Sequence, residues 1–190
     1  MAKGSTTDTV QEFKRIRNEI LQGDIKPFYL LFGKEHYYIE ELCRLLLEKT
    51  VPEEERDFGQ LVFYGADTTA EQVVSAARQY PMMVSRQIVV LKEAQMMRRV
   101  EDIGVYFEGV MPTTVLVVCY KTVNDISKSG KNIDKRTAFY KQALKTGVVF
   151  ESNQVQDYKM AKAIEAVGQE KGYTYVFDSA AMLYIAPEAN

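Results

Sequence analysis

The feature that most constrains this chain is a rhythm of short apolar runs, each separated from the next by a stretch with helical spacing. The runs are Pro27-Phe-Tyr-Leu-Leu-Phe32, Gln60-Leu-Val-Phe-Tyr64, Ile88-Val-Val-Leu91, Thr114-Val-Leu-Val-Val-Cys119 and Gly147-Val-Val-Phe150. Apolar at consecutive positions, they read as strands buried on both faces. Between them, Val10, Phe13, Ile16 and Ile20 mark one helical face, and Tyr38, Leu42, Leu45 and Leu46 a second. Val73, Val74 and Ala77 mark a third, Val100, Ile103 and Phe107 a fourth, and Thr137 to Lys145 reads as a fifth helix. Strands alternating with helices predict an α/β fold: a parallel sheet flanked by helices, doubly wound through right-handed crossovers. Capping boxes are read at Thr9-Val-Gln-Glu12 and Thr68-Thr-Ala-Glu71. Glu53 to Asp57 and Lys121 to Lys135 read as polar loops. After Ser152 the strand rhythm stops, and Tyr158 to Gly172 reads as a helix with Met160, Ala163, Ile164 and Val167 on its apolar face. The predicted organisation is one domain over residues 1–152 and the beginning of a helical domain over 153–190.

Composition serves mainly to exclude. Hydrophobic and charged fractions of 46% and 26% are ordinary for a globular protein. No apolar run approaches the roughly 18 residues that span a bilayer, and Met1 to Asp8 lacks the apolar core of a signal peptide. A cytoplasmic protein without a membrane partner is expected. A net charge of −2 argues against a DNA-coating surface, so any DNA contact is expected through a larger complex. His36 is the only histidine, and Cys43 and Cys119 each lie in an apolar stretch, predicting buried reduced thiols and no metal site.

The first strand ends in Phe32-Gly33-Lys34-Glu35-His36. A working phosphate loop needs several backbone N–H groups around the phosphates and a hydroxyl for magnesium. This turn has one glycine, and Glu35 stands where the hydroxyl belongs. After the third strand a magnesium-handling nucleotidase carries an acid; here Lys92 takes that place. Gly33, Lys34 and Glu35 therefore read as a degenerate, non-functional phosphate turn, with no cofactor and no catalytic residues expected. No nucleophile elbow or pair of histidines supplies another chemistry.

Gln79-Tyr80-Pro81-Met82-Met83-Val84-Ser85-Arg86-Gln87 joins the third helix to the third strand. Pro81 disfavours helix at the residue before it, so the chain turns there. Two consecutive large apolar residues cannot both point into one strand-packed core. Either the pair packs beneath the helix or at least one methionine is exposed, ready to fill a partner's pocket.

Pro27-Phe-Tyr-Leu-Leu-Phe-Gly-Lys-Glu35, the helix after it, Tyr80-Pro-Met-Met-Val-Ser-Arg-Gln-Ile-Val-Val-Leu91 and Asp134-Lys-Arg136 resemble, in order and spacing, the delta subunit of the bacterial DNA polymerase III clamp loader. The resemblance covers about residues 9 to 185. It implies a degenerate AAA+ (P-loop NTPase-like) domain and a part in DNA replication: binding and opening the sliding clamp without ATPase activity of its own. The family's two clamp-inserting hydrophobic residues fall on Met82 and Met83, beside Pro81. Leucine and phenylalanine are common there, where this chain has two methionines. The family's three-domain plan also implies other loader subunits as partners, joined through a C-terminal collar. Ending at Asn190, the chain is expected to be truncated before that collar. Two other readings stay open: a divergent P-loop enzyme resembling a small-molecule kinase, and an α/β interaction domain with another partner.

Overall fold

The structure, a computed structural model, describes residues 6–122, 132–153, 174–177 and 183–186. Strands β1 (Phe28–Gly33), β2 (Gln60–Tyr64), β3 (Gln87–Lys92), β4 (Thr114–Lys121) and β5 (Val148–Ser152) form one sheet in the order β2-β3-β4-β1-β5. Every pairing in it is parallel. The five apolar runs are these five strands, and the α/β class holds, a parallel sheet flanked by helices.

Strand alternation sorts the core into two layers. Phe28, Leu30, Phe32, Val89, Leu91, Leu116 and Val118 pack on one face; Tyr29, Leu31, Ile88, Val90, Val115 and Val117 pack on the other. Helices α1 (Thr6–Leu21) and α2 (His36–Thr50) cover the second face. They bury Phe13, Ile16 and Ile20, and Ile39, Leu42, Cys43 and Leu46. The one-turn helix α3 (Arg56–Gly59) leads into β2. Helix α4 (Ala70–Arg78), a 3₁₀ helix over Val100–Glu108 and α5 (Ala138–Thr146) cover the first face. Fully burying one such Leu, Ile or Phe contributes about 1.5–3 kcal/mol.

Local structure departs from the sequence expectation in informative places. Helix α1 begins at Thr6, so Thr9 is no cap; it lies within the helix, buried. The cap of α4 is Thr69, one residue after the predicted Thr68. Its hydroxyl accepts from the Gln72 N–H (3.3 Å) while the Gln72 side chain accepts from the Thr69 N–H (2.9 Å). Gln72 serves in the box as well as Glu71 would, so the motif alone did not fix the register. The fourth helical stretch is 3₁₀ instead of α, and it buries Val100, Ile103 and Tyr106. That spacing of three matches three residues per turn and sends Phe107 to the side. Part of the predicted loop at Glu53–Asp57 is helical, as Glu53–Glu55 and the start of α3.

Beyond Ser152, Thr174–Phe177 (β6) and Leu183–Ala186 (β7) form an antiparallel pair. The sequence reading assigned no strand there, yet Thr-Tyr-Val-Phe and Leu-Tyr-Ile-Ala are short β-branched and aromatic runs that suit strands. The predicted helix Tyr158 to Gly172 lies outside the described residues, as does most of the Lys121 to Lys135 loop.

Candidate protein-binding site

Two elements singled out in the sequence lie at opposite ends of the sheet. The turn Gly33 to Glu35 follows β1, at the carboxyl end where open α/β sheets place ligands. Gly33 has φ +137°, and a Cβ there would strike the Ser152 carbonyl. That oxygen receives the N–H of Lys34 (2.8 Å) and of Glu35 (3.2 Å). The Ser152 hydroxyl donates to the Glu35 carbonyl (2.6 Å), and the Thr122 N–H donates to the Gly33 carbonyl (2.9 Å). The donors that a bound phosphate would use are engaged by β5. Glu35 acts as the cap of α2, its carboxylate accepting from the Tyr37 N–H at 3.3 Å.

Nearby, Lys121 at the end of β4 pairs with Glu40 of α2 at 2.5 Å, and Lys92 at the end of β3 lies 3.7 Å from the same carboxylate. Partial burial pushes the Glu40 carboxyl up, but the Lys121 hydrogen bond and the charges of Lys121 and Lys92 outweigh it, leaving it below its ordinary value. Further along α2, the thiol of Cys43 and that of Cys119 on β4 are free and both buried. The neighbouring thiol holds Cys43 below the usual thiol range and, with burial, pushes Cys119 well above it. Among the described residues no cluster of three or more His, Cys, Asp or Glu side chains could hold a metal ion.

At the amino end, Gln79 to Arg86 runs from α4 into β3. Met82 is 81% exposed, Met83 82% and Tyr80 71%, while Pro81 is half-buried. Core packing of the methionine pair is thereby excluded: the space beneath α4 is filled by Val73, Val74 and Ala77. Met83 sits at φ +68°, in the left-handed region where a bulky side chain costs about 1 kcal/mol or more.

The base of this loop is closed by Gln87, 4% exposed at the start of β3. Its amide nitrogen donates to the carbonyls of Gln79 (2.9 Å) and Ala76 (3.3 Å) and to the Thr114 hydroxyl (2.9 Å). The Gln87 N–H donates to the Thr113 carbonyl at 2.9 Å, and the Arg86 guanidinium to the Ile25 carbonyl at 3.1 Å. The loop therefore presents three adjacent apolar side chains from a framework fixed on both sides. A surface groove of about 780 Å³ between α4 and the 3₁₀ helix, lined by Val74, Arg78 and Val105, begins beside Gln79.

The sequence singled out Pro81, Met82 and Met83; the structure adds Tyr80, exposed near them, and Arg86 and Gln87, which hold the loop. The available signal for Gln87 was a polar residue at the mouth of an otherwise apolar strand, where a buried amide must find partners. Chemically, an adaptable thioether pair with a neighbouring ring suits insertion into an apolar pocket on a protein partner.

Comparison with known proteins bears on the family and not on these residues. The family model described as DNA polymerase III, delta subunit, matches residues 29–152. The DNA polymerase III subunit delta of Bacillus subtilis is 26% identical over 134 residues, covering 64% of this chain and 38% of that protein. The solved structure of the Bacillus subtilis DNA clamp loader delta protein shares the fold with a TM-score of 0.67 at 20% identity, over 85% of this chain and 48% of its own. The chain thus spans less than half the length of either relative. With the family match extending over more than half of the chain, from the first strand to the last of the parallel sheet, the chain belongs to the DNA polymerase III delta subunit family.

Proposed function

We propose that this chain acts in DNA replication as the clamp-facing part of a clamp loader delta subunit, binding the sliding clamp through Met82 and Met83 and helping to open it. The observation that carries this reading is the pair itself: two consecutive methionines, each more than four-fifths exposed, on a loop pinned at both ends. Exposed apolar pairs are uncommon on soluble proteins unless they serve an interface. Pro81 shapes the turn that displays them. The domain over residues 1–152 is the clamp-binding unit, and 153–190 begins a second domain.

In this reading the phosphate turn is structural. Gly33, Lys34 and Glu35 join β1 to β5 and α2, and the domain neither binds nor hydrolyses ATP. Opening of the clamp is then driven by contact, with nucleotide chemistry left to other loader subunits. Joining those subunits belongs to the part of the family's length outside the matched region, and contact with DNA runs through the complex. The test is size-exclusion chromatography of the purified chain with its cognate sliding clamp. Co-migration is expected, and separate elution at micromolar concentrations of both would contradict the reading.

A further inference from the structure

We infer that Gln87 is a positioning residue for the partner-binding loop, setting the presentation of Met82 and Met83 through a single buried amide. This inference rests on the proposed role of that loop. Helix α4 ends at Arg78, where the last carbonyls of a helix need partners from outside its regular ladder, and the Gln79 N–H already reaches those of Ser75 and Ala76. Two carbonyls at that end, those of Ala76 and Gln79, are met by the Gln87 side chain, eleven and eight residues further along the chain. The same nitrogen reaches the fully buried Thr114 at the start of β4, and the Gln87 main chain is paired to Thr113. One side chain thus ties the end of α4, the return of the loop and the neighbouring strand into one junction.

Between the two tied ends the loop holds a conformation it would not adopt by itself. Met83 is left-handed at φ +68°, and Tyr80, Met82 and Met83 are all exposed with little of their own packing to hold them. Such a conformation persists only where the surroundings over-determine it. Arg86, reaching the Ile25 carbonyl, fixes the outer side of the return. Without the amide, the methionine pair would sample other arrangements, and a partner would have to order the loop on binding.

The test is a double-mutant cycle read by affinity for the purified sliding clamp. Gln87→Met keeps the length and volume of the side chain and removes the donor. It should weaken binding about tenfold, the equivalent of one lost charge-neutral hydrogen-bond junction. In a Met83→Ala background, where half of the anchor is gone, the same change should cost clearly less, about threefold or under. Wild-type affinity for a folded Gln87→Met variant, or an identical loss in both backgrounds, would overturn the inference, since a merely structural role adds independently of Met83. Should Gln87→Met fail to fold, Thr114→Val removes only the strand-side partner and is held to the same non-additivity. If Met83→Ala alone leaves affinity unchanged, the loop is not the anchor, and that result refutes the proposed function and this inference together. An intact Met83 effect with no Gln87 effect refutes only the inference.

Discussion

Replacing Gly33 by alanine should unfold this domain more readily than any change at the exposed methionines. The added Cβ would collide with the Ser152 carbonyl, and the backbone there lies at φ +137°, a region essentially restricted to glycine. Strain of this kind costs about 1–3 kcal/mol. Moving Ser152 away also loosens the Lys34 and Glu35 N–H bonds to its carbonyl, each worth about 1 kcal/mol. The sum is roughly 3–5 kcal/mol, a large share of the 5–15 kcal/mol typical of a domain. Gly23 provides the control: it is also left-handed, at φ +82°, but a Cβ there meets nothing within 4 Å. Gly23→Ala should cost only about 1 kcal/mol. Urea denaturation monitored by circular dichroism measures both, and the Gly33→Ala midpoint should fall with little change in slope. A Gly33→Ala loss no greater than that of Gly23→Ala would refute the argument that the turn is clasped onto β5.

Three further outcomes follow from the same contacts. Because the turn's donors already serve Ser152, ATP with magnesium should leave the melting temperature unchanged, and calorimetric binding in the micromolar range would contradict this. Thr69→Ala should destabilise by about 1 kcal/mol through loss of the α4 cap, whereas Thr68→Ala should cost about 0.5 kcal/mol or less, as thermal melts would show. Glu40→Gln should lower stability at pH 7 by at most about 1 kcal/mol, since the carboxylate is partly exposed. Its folded pKa is below the ordinary 4.5, so its contribution is complete above that value and is lost as pH falls through the folded pKa. The gap between wild type and Glu40→Gln in urea titrations should therefore narrow as the pH falls below the ordinary carboxylate value; a gap that does not narrow on acidification would contradict the assignment.

The sheet was legible in the sequence because a strand covered on both faces must be apolar at every position, as Ile88-Val-Val-Leu91 and Val115-Leu-Val-Val118 are. The helix faces were legible for the same reason, one layer further out. Less visible was what depends on exact pairing. Thr68 and Thr69 present almost the same capping pattern, and only the observed bonds to Gln72 choose between them. Val100, Ile103 and Tyr106 fit a 3₁₀ period that a short apolar stretch cannot distinguish from an α one. The turn's departure from a phosphate-loop pattern was readable at Glu35 and Lys92, but its occupation by Ser152 is a contact over more than a hundred residues. Met82 and Met83 stood out because neighbours in sequence cannot share a core, whereas Gln87 gained its meaning only when Ala76, Gln79 and Thr114 were seen around it.

The most direct measurement of the central claim is the affinity of the chain for its sliding clamp, wild type against the double change Met82→Ala with Met83→Ala, alongside the melting temperature of each. Both side chains are more than four-fifths exposed, so nearly all of their apolar surface is available for a partner to bury, at about 1.5–3 kcal/mol each. The double change should weaken clamp binding by roughly 100-fold or more, each 1.4 kcal/mol being about tenfold, and leave the melting temperature within a degree or two. Unchanged clamp affinity, or a loss of affinity that merely follows a large fall in melting temperature, would contradict the account.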